Sequence, residues 1–436
     1  MAFYVFPRVA WLARVLGLCG LGLIALPHAG CDKVSSDNIQ LWKTTEKGPG
    51  KLVAALQDRG VDPKLRAEAA TALIEIGKAE QVDATLAAMP ANQRWDLAKA
   101  LVPVFEAGMK DTSSSNALAY RDALFSLREL SGNEEKTQID AVLIPSVIDD
   151  LRTGKVRNGR HSVEKILTAT GASSGNLLAG LLAEPIPGYA AVADLLARIG
   201  DEGAREKGGA ALVKRATLLR TVPDAMWKSL GVLGGPSVVT FLEGWIQSAG
   251  HDALPAVRAL QQRRDPSLLP YALRMAADQK ADLGVRDEMF GVVETIGGPQ
   301  AKDGLVHIIQ SDPKEMVRYR AFESLLTVAK QDGIIAGLEA FPANATYKRV
   351  DVDDLLVKLC EKLGAAARPV LVVALQSKAP LARMTAVMTL EQIGKSPDAA
   401  ALEKIGKDTT MIKGFPGGET IGKAALRAAG IVRGKN

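Results

Sequence analysis

Residues 66–77 read RAEAATALIEIG, and the same phase returns at 383–394 (RMTAVMTLEQIG) and at 286–297 (RDEMFGVVETIG). In all three, an arginine is followed by apolar residues at offsets 3, 7 and 10 and by glycine at offset 11. Offsets 0, 3, 7 and 10 share one face of an α-helix, and a glycine just past the last apolar position ends the helix in the left-handed conformation. The segment is therefore an amphipathic helix of about three turns with a built-in stop.

Sliding that template along the chain places its first position at Arg66, Arg94, Tyr120, Arg160, Tyr189, Pro223, Ala253, Arg286, Arg318, Asp353, Arg383 and Glu419. The mean spacing is about 32 residues, the period of a two-helix solenoid repeat. The seventh-offset slot holds Leu73, Leu101, Leu127, Leu167, Leu196, Leu230, Leu260, Val293, Leu325, Cys360, Leu390 and Leu426. Glycine fills the eleventh-offset slot at Gly77, Gly171, Gly200, Gly234, Gly297, Gly364, Gly394 and Gly430. Second helices are expected in the gaps, at 81–89, 139–151, 177–183, 238–246, 268–276, 304–309 and 370–375. Restarts are marked by Asp62-Pro63, Asp265-Pro266 and Asp312-Pro313, where Asp caps free amides and Pro sits in the first turn.

The pattern resembles the HEAT-repeat family in its short bacterial form, whose first helix reads D-P-x-x-x-V-R-x-x-A-x-x-A-L-x-x-I-G. Asp312-Pro313, Val317-Arg318, Ala321 and Leu325 copy its opening; Ala69 to Gly77 and Ala386 to Gly394 copy its close. The resemblance implies an all-α fold, an α-solenoid of about twelve helix pairs over residues 51–434. It also implies that the arginines Arg66, Arg94, Arg160, Arg286, Arg318 and Arg383 form a structural ladder, bonded to Asp or to backbone carbonyls of neighbouring repeats. At Arg263-Arg264 the seventh unit lacks its apolar residue and its glycine, which predicts a bend near 250–265.

Composition agrees with helix on helix. The 436 residues are 47% apolar and only 5% aromatic, with 54 Lys plus Arg against 49 Asp plus Glu. Such balance excludes a disordered chain and a strongly basic nucleic-acid binder. Three cysteines exclude a disulfide scaffold.

The N-terminus carries an address. Arg8 and Arg14 precede an uncharged apolar run, residues 15–26, and then Pro27-His28-Ala29-Gly30-Cys31. This is the charged, apolar, small-residue order of a secretory signal, and the run is too short to span a bilayer. Ala29-Gly30-Cys31 resembles the lipobox of bacterial lipoproteins, with His28 where that family usually has Leu. The resemblance implies a signal peptide over 1–30 and lipidation of Cys31. Asp32 resembles the signal for retention at the inner membrane. Residues 31–50 are then a tether, as far as Gln40, and an N-terminal cap beginning at Leu41-Trp42.

Residues that invite a chemical reading mostly have a plainer one. Gly171-Ala172-Ser173-Ser174-Gly175 matches G-x-S-x-G, but that elbow needs a strand before the turn and here a repeat helix precedes it. Gly417 to Lys423 matches most of a P-loop, yet Ala424 stands where Ser or Thr must ligate magnesium, and ATP is absent outside the cytoplasm. The loop 407–420 reads instead as a contact loop. His161, His251 and His307 fall in different repeats, so no metal site is expected. Cys360 takes a core slot as a buried thiol, and Asp351, Asp353 and Asp354 read as helix-capping acids.

The expected function is a membrane-tethered protein-binding scaffold or adaptor of the bacterial cell envelope. It takes an envelope protein as partner, and no nucleic acid, small-molecule substrate, metal or cofactor. Two alternatives stand beside it: an enzyme or enzyme subunit on a HEAT-like scaffold, and a polysaccharide-binding structural protein, whose sites would present exposed aromatics.

Overall fold

The computed structural model describes residues 33–435 except 112, 200, 343–349 and 413–417, and leaves the side chains of 251 and 350–354 undescribed. The signal segment, Cys31, Asp32, Gly200 and Gly417 thus lie outside the described residues, among which there is no strand. The chain forms two compact units, divided between Ser131 and Gly132.

The first unit holds α1 (Ser36–Trp42), α2 (Gly48–Gln57), α3 (Pro63–Glu75), α4 (Ala79–Ala88), α5 (Ala91–Lys110) and α6 (Ala117–Glu129). Odd-numbered helices stack on one another, even-numbered ones do the same, and the two layers pack face to face. The second unit opens with α7 (Asn133–Thr153), α8 (Val163–Thr170), α9 (Ala172–Leu181), α10 (Tyr189–Ile199), α11 (Glu202–Ala216) and α12 (Asp224–Leu233). It continues with α13 (Pro236–Ala249), α14 (Leu254–Gln261), α15 (Leu269–Ala277), α16 (Leu283–Ile296), α17 (Pro299–Ser311) and α18 (Glu315–Ala329). It closes with α19 (Ile334–Ala340), α20 (Val350–Glu361), α21 (Arg368–Ala374), α22 (Pro380–Ile393), α23 (Ala399–Lys404) and α24 (Ile421–Arg433). From α8 to α24 each even-numbered helix packs on the next even-numbered one, while the odd-numbered helices form the second layer. Each unit is a stack of helix pairs, and the fold is an all-α solenoid.

The leucine slot lies in the core of each stack. Leu73, Leu101, Leu127, Leu167, Leu196, Leu230, Leu260, Val293, Leu325, Cys360 and Leu390 are all buried to within 1%. Each burial of a whole aliphatic side chain contributes about 1.5–3 kcal/mol. The twelfth unit departs: Leu426 is 52% exposed, and α24 buries Ile421, Ala424, Ala425, Ala428, Ala429 and Val432 instead. With four alanines offered on that face, the one large residue no longer sets the phase.

Glycine stops divide in the same way. Gly77, Gly171, Gly234, Gly297 and Gly364 have φ between +53° and +73°, the left-handed stop the spacing requires. Gly394 is extended (φ −65°, ψ 160°), and Gly430 lies inside α24. In the seventh unit Arg264 itself takes φ +52° at the eleventh-offset position, doing with a side chain what glycine does elsewhere.

Two further differences concern helices. The segment read as a tether is helical from Ser36, because the Ser35 hydroxyl accepts from Asn38 N and caps α1. Ile39 and Trp42 are the buried residues there, and Leu41 points outward at 59% exposure. Helix α11, absent from the sequence reading, is polar and carries Gly208-Gly209 in its middle. Those glycines are needed for approach: a Cβ on Gly208 would lie 2.7 Å from Leu196 Cδ2, and one on Gly209 would lie 2.7 Å from Gly234 O.

Candidate functional site

The arginines at the repeat phase bond to helix ends. Arg66 Nε donates to Leu56 O (2.9 Å), Arg94 Nε to Leu86 O (2.8 Å), Arg286 Nε to Ala276 O (2.8 Å), Arg318 Nη1 to Asp312 O (2.8 Å) and Arg383 Nη1 to Ser377 O (2.8 Å). Each acceptor sits at or just past the carboxyl end of the preceding helix, where carbonyls lack intrahelical partners and the helix dipole favours a cation. Two of the arginines also reach an acid further along the chain: Arg286 pairs with buried Asp312, and Arg383 Nε donates to Asp408 Oδ2 at 2.8 Å. Burial opposes ionisation of Asp408, but hydrogen bonds from Thr410 and Arg383 outweigh it and hold its carboxyl below the usual range. Residues 408 and 410 of the expected contact loop are thus engaged with Arg383. Arg160 stands elsewhere, exposed in the turn before α8.

A pocket of about 900 Å³ lies in the second unit. The start of α11 (Glu202, Arg205, Glu206), the α12–α13 turn (Gly234, Gly235, Pro236) and the α14–α15 turn (Gln262, Arg263, Asp265, Ser267) line it. Gly234 and Gly235 have φ of +67° and +95°, and a Cβ on either would collide with a side chain: the Arg263 guanidinium at 234, the Glu206 carboxylate at 235. Glu206 Oε1 accepts from Ser237 N (3.2 Å) and Ser237 Oγ (2.7 Å), so α11 supplies the N-terminal cap that Gly235 cannot give α13. Arg263 Nη2 meets Asp265 Oδ2 at 3.1 Å. The Ser267 hydroxyl, donating to Asp265 Oδ1 at 2.7 Å, holds that carboxyl below its usual range against the opposing effect of burial.

Beyond these bonds, Glu206 Oε2, Arg263 Nε, Arg263 Nη1 and Arg205 Nε are buried without a partner. Glu206 and Arg263 are thus each bonded through one part of the side chain, while another part is closed off from solvent. Neither Glu206 nor Arg205 carries a sequence signal, since both lie on the overlooked α11; Arg263 was visible only as a break in the repeat.

A second concavity of about 510 Å³ lies in the same unit, lined by Trp227, Trp245, Asp224, Asp252, Arg220 and Arg258 among others. Trp227 and Trp245 meet edge to face with centroids 5.2 Å apart, and Trp227 stacks on Phe241 at 5.8 Å. The chain entering it carries Leu218 and Leu219, which are 80% and 42% exposed.

The remaining candidates fall apart chemically. Ser173 is exposed in the first turn of α9, not in a strand-to-helix elbow, and its neighbour Ser174 is buried with its hydroxyl donating to Gly171 O at 2.8 Å. Gly422 packs against the backbone of Gly406 and Asp408, and Thr420 caps α24 by accepting from Lys423 N at 3.3 Å. Cys360 is fully buried, and burial pushes its thiol up to about 12, so it stays protonated. His161 lies in the turn before α8 and His307 in α17, and no group of three metal-ligating side chains occurs among the described residues. Asp351, Asp353 and Asp354 fall in the opening turns of α20, with side chains outside the description. No described helix is long and apolar enough to cross a membrane.

No family model matches this chain, and no curated protein matches it. Among solved structures it is similar to an engineered protein (17% identity, 89% of this chain and 99% of that one, TM-score 0.29). It is also similar to the karyopherin Kap121p bound to the SUMO protease Ulp1p (14%, 88% and 41%, TM-score 0.37) and to UNC-45 from Drosophila melanogaster (12%, 92% and 62%, TM-score 0.23). The chain spans under half the length of the karyopherin.

Proposed function

We propose that this chain is a HEAT-repeat lipoprotein of the bacterial cell envelope, acylated at Cys31 and acting as a protein-binding scaffold or adaptor rather than as a catalyst. The address rests on the order Arg8, Arg14, apolar run, Ala29-Gly30-Cys31, and Asp32 favours the inner membrane with the protein on its periplasmic side. Acyl chains on Cys31 would hold it there, each buried methylene contributing about 0.8 kcal/mol.

The observation that carries the scaffold reading is apolar surface the core does not need: Leu218 and Leu219 leave α11 exposed, beside a pocket floored by two tryptophans. Such a patch, rimmed by Arg220 and Asp224, has the make-up of a protein-binding hot spot. Affinity purification of the detergent-extracted full chain after in-cell crosslinking is expected to bring down one stoichiometric envelope protein, which Leu218→Asp abolishes. Recovery of the chain alone would contradict the reading. Cys31→Ser is expected to release the protein from membranes, and retention through a carbonate wash would contradict the anchor.

Polysaccharide binding is the second reading, favoured by half-buried Trp245 in the same pocket. It predicts co-sedimentation with purified cell-wall polysaccharide that Trp245→Ala abolishes.

A further inference from the structure

Three successive turns of the second unit, α7–α8 (residues 154–162), α9–α10 (182–188) and α11–α12 (217–223), form one surface. Arg152, at the end of α7, donates to the Glu184 carboxylate of the middle turn from Nε (2.8 Å) and Nη2 (3.2 Å). Arg215, at the end of α11, donates from Nη1 to the Glu184 carbonyl at 3.0 Å. A Cβ on Gly154 would lie 2.9 Å from Pro187 Cγ, so the first and middle turns also touch directly.

The make-up of this surface is one-sided. Glu184 is the one acid in the three turns, and Arg152 takes its carboxylate. Arg157 is held by Asp150 of α7, and the Arg215 guanidinium lies over the Tyr189 ring, 5.1 Å from its centroid. Lys155, Lys214 and Arg220 are exposed and have no ion pair among the described residues. Between these cations stand aliphatic side chains in water: Val156, 49% exposed, in the first turn, and Leu218 and Leu219 in the last.

Both features ask for the same complement, apolar groups flanked by carboxylates. An anionic bilayer and an acidic protein segment each answer that description, and the shape of the surface favours the second. Arg220 and Thr221 also line the concavity of about 510 Å³ over Trp227 and Trp245. A bilayer, flat on this scale, leaves such a hollow empty, whereas one apolar side chain of a protein segment fills it.

We propose that these three turns bind an acidic segment of the partner protein, its carboxylates against Lys155, Lys214 and Arg220 and its apolar side chains against Val156, Leu218 and Leu219. The inference rests on the protein-binding reading and adds the chemistry and the extent of the partner's contact.

A photo-crosslinking residue is placed at Val156 and, in a second variant of the full chain, at Leu218, and each is activated inside the cell. The same envelope protein is expected in the adducts from both positions. Its crosslinked peptides, sequenced by mass spectrometry, are expected to carry more Asp and Glu than Lys and Arg. Lys155→Glu combined with Arg220→Glu is expected to lower the adduct yield at both positions about tenfold, while Lys155→Arg with Arg220→Lys keeps it. Adducts from position 218 alone, or different proteins from the two positions, would overturn the shared surface and leave the protein-binding reading standing; no protein adduct from either position would sink that reading itself. Basic or neutral captured peptides, or an unchanged yield in a charge-reversed variant that melts like the parent, would overturn the acidic partner. Phospholipid adducts at both positions would overturn the proposal in favour of the membrane.

Discussion

The sequence Gly-Gly-Pro occurs twice at the same place in a repeat, at 234–236 and at 297–299, and the two turns share one backbone conformation. Gly234 and Gly235 have φ +67° and +95°; Gly297 and Gly298 have +68° and +86°; a proline opens the next helix in both. Their surroundings are opposite. A Cβ at 297 or 298 would meet nothing within 4 Å, whereas at 234 and 235 it would run into Arg263 and Glu206. Around the second turn Arg286 pairs with Asp312 and Arg320 with Glu294, although Arg286 Nη1 is itself buried without a partner. Around the first, four polar atoms are buried with no partner, Ala253 stands where the ladder arginine would be, and Arg264 takes the left-handed slot. One backbone device thus serves as a bare chain reversal in one repeat and as the floor of a charged pocket in another, and the difference is made by residues on neighbouring turns.

Breaking the well-paired side of the comparison gives the largest effect. Asp312→Ala leaves the Arg286 guanidinium, 1% exposed, with a buried unpaired charge, and is expected to cost about 3–5 kcal/mol in chemical denaturation. A loss under 1 kcal/mol would mean that the pair is not part of what holds α16 to α17 and α18. Leu325→Ala in the same region is expected to cost about 2–5 kcal/mol as a core cavity, while Leu426→Ala, at the identical template slot but half exposed, is expected to change stability by about 0.5 kcal/mol. Similar losses at the two sites would contradict the shifted phase of α24.

The two turns can then be compared directly. Gly298→Ala carries only the strain of a positive φ, whereas Gly235→Ala adds a collision with Glu206 and is expected to cost about 1–3 kcal/mol more. Equal melting temperatures for the two variants would show that Glu206 does not sit on the turn. The smallest effect is a gain: Arg264→Gly relieves a left-handed arginine and is expected to stabilise by about 0.5–1 kcal/mol, after the entropy glycine returns to the unfolded chain. A loss of stability would mean that the Arg264 side chain makes a contact worth more than its backbone strain.

These regions also show which parts of the architecture are legible in sequence. A leucine repeated at fixed phase on a three-turn helix is visible because every repeat must present the same surface to its neighbour, and eleven of the twelve slots named from phase are buried. The phase fails in α24 because Ala424, Ala425, Ala428 and Ala429 make several faces equally acceptable to an apolar template. Helix α11 is missed for a different reason: Gly208-Gly209 reads as a breaker in one dimension, and only packing against Leu196 and the Gly234 carbonyl explains it. The pocket is illegible because its charged residues, Arg205, Glu206 and Arg263, belong to separate turns and follow no motif. What sequence could register was the absence of a glycine and an apolar residue at Arg263-Arg264, a break in the rule that falls on the pocket lining.

The central claim is that the apolar face at Leu218 and Leu219, beside the Trp227–Trp245 pocket, is where this protein meets a partner. A photo-crosslinking residue placed at Leu218, 80% exposed, and in a second variant at Gln300, exposed beside the Gly297–Gly298 turn, tests it inside the cell on the full chain. The account predicts a discrete adduct with an envelope protein from position 218 and none from position 300. Adducts of equal yield from both positions, or from position 300 alone, would contradict it.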